Sequence, residues 1–227
     1  ELLAKNGFAT MKSFEGISNR ALPAYAMNRD RSDEFHLQRG ITDPSSRLEF
    51  ERSIERSVHR ELTALSSKTH TFLVSSEHLH SRLQKLEEVN RVLALFRPYC
   101  DEIRILCYLR PQLELAISQY STVLRNGEIR SLEPWLQGTL EQSHYFRFDQ
   151  MLLLWAAGVG REYVTPLFYD KKELIQGDVI CDYIARTGLP DLDYQFPPRK
   201  NRSISRTGQF LLRMLNRIAP RRQNERL

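Results

Sequence analysis

The stretch IRILCYLRPQLELAISQYSTVLRNG, residues 103–127, decides the fold. Apart from Arg104, its first seven residues are apolar, which is typical of a buried strand. Pro111 suits the first turn of a helix, and Asn126-Gly127 suits the end of that helix. A strand that feeds directly into a helix is the unit from which α/β folds with parallel sheets are built.

The same alternation recurs along the chain. THTFLVS, residues 69–75, predicts a strand, and Ser76 can cap a following helix over residues 77–96. Residues 163–168 predict a third strand, followed by a helix over 178–186. We therefore expect an α/β domain with three layers, in which helices flank one mostly parallel sheet.

Further helices are predicted over 45–65, 131–141, 148–157 and 205–218, where apolar residues recur at helical spacing. Residues 8–44 give little periodic signal and are interpreted as loop-rich, with a short helix near 21–27. Residues 1–227 are expected to form a single domain. Because three strands are few for such a sheet, we expect a further strand before residue 1.

Charge is concentrated at one end of the chain. Residues 199–226 hold nine basic residues and one acidic residue, a net charge of +8, whereas the remainder is net −3. A basic final segment can contact an anionic membrane surface or nucleic acid, or it can form an ordinary solvated face. Only Phe210 supplies an aromatic ring there, so no specific nucleic-acid partner is expected, and peripheral membrane contact through 206–222 stays open.

Cysteine content and motif searches narrow the function classes. Cys100, Cys107 and Cys181 are odd in number and lack metal-ligand spacing, which indicates neither a disulfide framework nor a zinc site. A reducing, cytoplasmic compartment follows as the expectation. The longest apolar run, residues 151–159, is too short for a membrane helix. No metal cofactor is expected.

One candidate binding element lies at the end of the strand over 103–109. Arg110 follows this strand, and Ser118 comes eight residues later, a little over two helical turns along. A phosphate group favours a guanidinium fork, a hydroxyl donor and a helix N-terminus. The alternative is that Arg110 forms a surface ion pair and Ser118 is an ordinary helical serine.

A second element follows the strand over 69–75. Glu77 and His78 appear where the strand ends, and either could act as a general base for an acceptor hydroxyl. The alternative is that Ser76 caps the helix, Glu77 complements the helix dipole and His78 is solvated. A third element is the basic loop with Arg199 and Lys200, which can close over an anion or stay solvated.

Several segments together resemble the bacterial sulfotransferase-like family, which is related to sulfotransferases that use 3′-phosphoadenosine 5′-phosphosulfate. The resemblance covers residues 69–216. The segments that carry it are FLVSSEHL (72–79), ILCYLRPQLELAISQYSTVLRNG (105–127), FDQMLLLWAAGVGREYVTPLFY (148–169) and NRSIS…LLRMLN (201–216).

The resemblance implies a P-loop NTPase-like sulfotransferase fold and particular roles for the candidate residues. Arg110 and Ser118 would bind the 3′-phosphate of the nucleotide, and Arg199 and Lys200 would belong to a covering loop. Glu77, beside His78, would supply the base for an acceptor. The implied activity is sulfuryl transfer from 3′-phosphoadenosine 5′-phosphosulfate to a hydroxyl of a glycan or glycolipid.

One feature of that family is missing from residues 1–227. The family has a lysine-bearing Gly/Ser/Thr turn after its first strand, and no such turn occurs here. We expect it to lie before residue 1, because residues 1–7 resemble the end of the helix that follows the turn. Without it, residues 1–227 should be inactive. The alternative is a non-catalytic binding or scaffold protein that kept the fold.

Overall fold

The computed structural model describes residues 2–14, 16, 18–140, 143–190, 194 and 204–219. Its strands are β1 (Phe8–Thr10), β2 (Thr71–Leu73), β3 (Ile105–Leu109) and β4 (Val164–Phe168). Its helices are α1 (Leu2–Lys5), α2 (Ala21–Ala26), α3 (Glu34–Gln38), α4 (Pro44–Thr63), α5 (His78–Arg82), α6 (Leu86–Phe96), α7 (Gln112–Arg125), α8 (Leu132–Leu140), α9 (Phe148–Val159), α10 (Val179–Thr187) and α11 (Arg206–Ile218). Short 3₁₀ turns connect several of them, including one over His144–Phe146.

The strands form two separate parallel pairs. β1 pairs with β2, with Phe8 opposite Thr71, and β3 pairs with β4, with Ile105 opposite Val164. The mixed helix and parallel-strand character agrees with the α/β expectation. The described residues do not place β2 and β3 in one sheet, because each of these strands pairs with a different partner.

The largest apolar core joins both pairs to the helices. Its buried residues come chiefly from α2, α4, α6 and α9, among them Leu22, Val58, Leu93 and Trp155. Phe72 and Val74 reach this core from the first pair, and Ile105 and Val164 reach it from the second. The two pairs therefore border one body of apolar side chains, and its burial holds them on the same core.

The predicted helix over 77–96 is broken into α5 and α6, and the reason is a buried carboxylate. Glu88 is fully buried. Its Oε2 accepts hydrogen bonds from the backbone N–H groups of Gln84 and Lys85, and its Oε1 accepts from Asn28 N–H and Arg31 Nη1. The N–H groups of Gln84 and Lys85 lie at the start of α6, so the Glu88 carboxylate caps a new helix there and α5 does not continue into it.

Most other predicted helices are present with shifted ends. α4 begins one residue earlier than predicted, because Asp43 rather than a serine caps it. α9 continues past Gly158 to Val159, and Gly160 lies at its C-cap position. A Cβ at Gly158 would come within 2.9 Å of the side chains of Val89 and Leu93, so this glycine permits close packing of α9 on α6. None of the helices in the described ranges is both long and apolar enough to cross a membrane.

Candidate active site

The first junction, the segment 74–82 that follows β2, is held by the loop after β1. Asn19 Nδ2 donates to the carbonyl oxygen of Ser75 at 2.8 Å. Asn19 has φ of 47°, a left-handed conformation that asparagine tolerates better than most residues. The contact brings the next residue, Arg20, to the start of α5. A loop with no periodic pattern in the sequence thus builds one wall of the junction.

Arg20 is the centre of a charged network at this junction. Its Nη1 lies 2.8 Å from His78 Nδ1, and its Nη2 lies 2.7 Å from Asp33 Oδ2. Arg82 Nε, from the end of α5, also donates to Asp33 Oδ2 at 2.8 Å. Burial alone would raise the pKa of Asp33, but hydrogen bonds from His36 and Arg82 and the charge of Arg20 hold it well below its usual range. Asp33 is therefore a fixed anion between two arginines.

The network decides which nitrogen of His78 carries its proton. Burial and the neighbouring Arg20 charge lower the pKa of His78, so the ring is neutral near pH 7. Because Nδ1 accepts from Arg20, the proton lies on Nε2, which is 3.6 Å from Glu77 Oε1. The Glu77 side chain is 80% exposed. Of the two candidate bases, Glu77 is the one with a free acceptor oxygen facing outward.

The capping alternative for this segment is present only in part. Ser76 Oγ accepts from His78 N–H at 3.3 Å, which agrees with the predicted cap. Glu77 itself lies at the N-cap position in helical geometry, and its side chain makes no capping hydrogen bond. Its carboxylate is therefore not used to satisfy the end of the helix.

The second junction, residues 110–118 after β3, is much more loosely held. Arg110 Nε lies 3.4 Å from Glu114 Oε2, and the Arg110 side chain is 38% exposed. The surface ion pair considered from the sequence is thus present, at the long end of hydrogen-bond distances. No described residue makes a hydrogen bond to the Ser118 hydroxyl. Pro111, at the N-cap position of α7, makes no side-chain capping hydrogen bond, so within the described residues the N–H groups of the first turn remain available to a ligand.

A 3₁₀ turn ties the two junctions together. His144 Nε2 donates to the Ser81 carbonyl oxygen at 2.9 Å, which attaches the turn to α5. Gln112 Nε2 donates to the Phe146 carbonyl oxygen at 2.9 Å, which attaches it to α7. The helices that follow β2 and β3 are therefore bridged by one short segment, although their strands belong to different pairs.

Tyr145 lies within that turn, and charged residues from both candidate elements shift its pKa. Burial raises the pKa of Tyr145, the Glu77 carboxylate raises it further, and the Arg110 guanidinium lowers it. The pKa of this one phenol therefore responds to the charges of both candidate elements.

The face beneath Tyr145 is apolar. His80 stacks on the Tyr145 ring with centroids 4.6 Å apart, and Phe148 lies 5.7 Å from His80. Burial and the nearby His144 lower the pKa of His80 to about 4. His80 Nε2 is buried and has no hydrogen-bond partner in the described chain. His80 is consequently a neutral ring that packs against Tyr145, and it is not a candidate base.

The structure thus places Glu77 and His78 side by side and joins their helix, through the turn over His144–Phe146, to the helix that follows Arg110 and carries Ser118. Arg199 and Lys200 lie outside the described residues. Sequence reasoning missed Arg20, Asp33 and Tyr145. No local pattern marks them, since Arg20 lies 58 positions from its partner His78.

Two further observations concern metal binding and cavities. No three His, Cys, Asp or Glu side chains among the residues described in the structure are grouped as a metal ion would require. A groove of about 490 Å³ runs along α8, lined by Leu132, Leu136, Leu140 and two polar neighbours, and it contains none of the candidate residues.

Known proteins give no identification. No protein-family model, curated protein or solved structure matches this chain.

Proposed function

We propose that this protein binds 3′-phosphoadenosine 5′-phosphosulfate and takes part in sulfuryl transfer to a hydroxyl of a glycan or glycolipid. The observation that carries the proposal is the turn over His144–Phe146, whose 2.9 Å hydrogen bonds to Ser81 and Gln112 join the helix that starts beside Glu77 to the helix that follows Arg110. A transfer site needs a base for the acceptor and a cation for the nucleotide within reach of one another. The resemblance of residues 69–216 to sulfotransferases supplies the identity of the nucleotide.

The second junction fits the 3′-phosphate of such a nucleotide. Arg110 offers a delocalised, permanently charged fork that is held by one long contact to Glu114. Ser118 offers a hydroxyl with no hydrogen bond among the described residues, and the uncapped start of α7 adds N–H donors. The Arg110 and Ser118 side chains can turn toward a phosphate without breaking a strong interaction in the protein.

At the first junction, Glu77 takes the proton of the acceptor hydroxyl while the acceptor oxygen bonds to sulfur. The bound nucleotide supplies the activated sulfuryl group and leaves as 3′-phosphoadenosine 5′-phosphate. His78 and Arg20 are positioning residues, because their contacts fix the start of α5 beneath Glu77. The fixed charges of Arg20, Asp33 and Arg82 keep this geometry preorganised.

The finer fold is part of the proposal. The edges of β2 and β3 that face away from β1 and β4 have no strand partner among the described residues. One additional parallel strand between them would join the pairs into a sheet of order β1-β2-X-β3-β4. Both strands end at the candidate site, so this strand would end there as well and complete the P-loop-like architecture.

A non-catalytic nucleotide-binding protein is the second candidate. The segments that carry the sulfotransferase resemblance, within residues 69–216, include no match to the lysine-bearing turn of that family, which would neutralise charge on the transferred group. Arg110, Ser118 and the start of α7 would suffice for nucleotide binding without transfer.

Calorimetric titration with 3′-phosphoadenosine 5′-phosphate tests the nucleotide site. A charge-assisted contact is worth about 1.5–3 kcal/mol, so Arg110→Ala should weaken binding roughly ten- to 150-fold. Ser118→Ala should weaken it less, because its hydroxyl is neutral. Adenosine 5′-phosphate, which lacks the 3′-phosphate, should lose much less affinity from Arg110→Ala.

Matched controls keep this test specific. Arg104→Ala removes an exposed arginine from the opposite end of β3 and should leave binding unchanged. Glu77→Gln should also leave it within about twofold, since the carboxylate faces the acceptor. Equal losses for both nucleotides, or none for either, would show that Arg110 does not read the 3′-phosphate.

Turnover separates the two candidate functions. In a sulfuryl-transferring form of the protein, Glu77→Gln should lower kcat by about 10²–10⁴-fold with little change in nucleotide affinity. A protein that binds the nucleotide and transfers nothing to any hydroxyl acceptor belongs to the non-catalytic class. Near-normal turnover of the variant would return Glu77 to a role in the helix start alone.

A further inference from the structure

The two faces of helix α11 differ in their contacts with the rest of the protein. One face is docked: Asn216 Nδ2 donates to the carbonyl oxygens of Leu124 at 2.8 Å and Glu128 at 2.9 Å, and Gln209 Nε2 donates to Ser121 Oγ at 3.1 Å. Leu212 packs on the apolar cluster beneath. These contacts recur three and four residues apart, so they fix the rotation of the helix about its axis.

The outward face is a continuous apolar stripe. It consists of five exposed large side chains, namely Phe210, Leu211, Met214, Leu215 and Ile218. At 100° per residue these positions span about 140° of the helix surface, and Ile218 is 78% exposed. Single exposed apolar residues are ordinary, but five in one stripe on a rigidly docked helix mark an interaction surface.

Positive charge borders that stripe along one side. Arg206, Arg213 and Arg217 project between the docked face and the apolar stripe, and none of them has an ion pair in the part of the chain that the structure describes. The Arg213 guanidinium lies 5.7 Å from the Phe210 ring centroid, and its Nε is buried without a hydrogen-bond partner there. No acidic residue occurs between 204 and 224, so the charge is not neutralised locally.

We propose that α11 docks flat on an anionic lipid bilayer. The apolar stripe enters the boundary between headgroups and acyl chains, and the arginines lie at the level of the lipid phosphates. Charge complementarity selects this occupant. A nucleic acid would form ion pairs with the arginines, but it would bury none of Leu211, Leu215 or Ile218. Its bases could stack on Phe210 alone.

Vesicle binding by the whole chain tests the proposal. Vesicles of phosphatidylcholine with 30% phosphatidylglycerol should bind the protein, and vesicles of phosphatidylcholine alone should bind it far more weakly. An arginine near such a surface contributes about fivefold, so the pair Arg206→Gln and Arg217→Gln should lower partitioning roughly 25-fold. The pair Leu211→Gln and Leu215→Gln should lower it at least tenfold.

Matched controls remove equivalent groups elsewhere. Leu153→Gln removes an exposed leucine from α9, and the pair Arg60→Gln and Arg161→Gln removes two exposed arginines. Both controls should bind vesicles as the unmodified protein does. The leucine pair should also keep its Tm, because both side chains are more than half exposed.

Depth is measured with Phe210→Trp and bromine-labelled lipids. Quenching of the added tryptophan by acyl-chain bromine is the expected result, since the stripe enters the bilayer. Three outcomes would overturn the proposal. They are vesicle binding that survives the leucine pair, equal affinity for a DNA duplex and anionic vesicles, and a lowered Tm of the leucine pair, which would show that the protein itself covers the stripe.

Discussion

The two strand–helix junctions of this protein are built in opposite ways. At the first, after β2, Arg20, Asp33 and Arg82 are interlocked by contacts of 2.7–2.8 Å, and His78 is tied to the same arginine. At the second, after β3, Arg110 has one 3.4 Å contact, and the Ser118 hydroxyl has none that the described residues supply. The charged groups of the first junction hold the structure together, whereas the arginine of the second junction is available to bind a ligand.

This difference matches what each side of the proposed site must do. A base needs a fixed position relative to the atom it deprotonates, and interlocked ion pairs give that position. An arginine that binds a nucleotide must have N–H donors free for the ligand. Strong ion pairs within the protein would compete with the ligand for those donors. Three predictions test the comparison, and each concerns one side or the region between them.

The largest effect is expected from Asp33→Ala at the first junction. The change leaves Arg20 and Arg82 without their shared anion and removes the side-chain cap from Phe35 N–H at the start of α3. Breaking a largely buried ion pair typically costs about 3–5 kcal/mol of unfolding free energy. Urea unfolding measures it. The exposed neighbour Asp30→Ala should change the unfolding free energy by less than about 0.5 kcal/mol, and an equally small effect of Asp33→Ala would show that the network is not structural.

A smaller effect concerns His80, which belongs to the first junction and stacks on Tyr145 of the bridging turn. Its pKa is about 4 in the folded protein and about 6.5 when unfolded. The unfolded chain therefore binds an extra proton between these values, so the stabilising contribution is complete above pH 6.5 and is lost as the pH falls toward 4. The loss amounts to about 3 kcal/mol.

The variant His80→Phe preserves the ring stack on Tyr145 and removes the titration. Its unfolding free energy should fall less steeply between pH 6.5 and 4 than that of the unmodified protein. Leu153→Gln, which changes an exposed and non-titrating side chain on α9, should retain the original slope. Identical slopes for all three proteins would mean that His80 is hydrated rather than buried against Tyr145.

The smallest effect is expected from Arg110→Ala on stability. A half-exposed ion pair with a 3.4 Å contact contributes little, so the unfolding free energy should change by less than about 0.5 kcal/mol. Urea unfolding alongside Asp33→Ala gives the comparison directly. A loss above 2 kcal/mol would make Arg110 a structural residue and would remove the contrast between the junctions.

The sequence predicted the elements whose signals are local. Residues 105–109 are uniformly apolar and are followed by Pro111, so β3 and α7 could be read from adjacent residues. The two candidate positions, Glu77 and Arg110, followed from the same principle, since polar residues after buried strands lie at the ligand-binding edge of parallel sheets.

Pairing and long-range contacts could not be read in that way. β1 has three residues, too few to show alternation, and therefore its pairing with β2 was hidden in a segment interpreted as loop. The contact between Arg20 and His78 joins residues 58 positions apart, and nothing in either local sequence selects the other. Tyr145 became a candidate only when its turn was seen to bridge α5 and α7.

The isolated pairing of β3 also bears on solubility. Its sequence, ILCYL, is apolar and contains no charge, proline or glycine, and such segments recruit other chains when one edge stays unpaired. β4 carries Pro166, which cannot donate to another ladder, whereas β3 has a charged residue at each end, Arg104 and Arg110. Because charges that flank an apolar strand oppose edge-to-edge pairing, we expect Arg110 to act against self-association as well. Arg110→Lys keeps this positive charge and removes the guanidinium fork, so it separates loss of nucleotide recognition from loss of solubility.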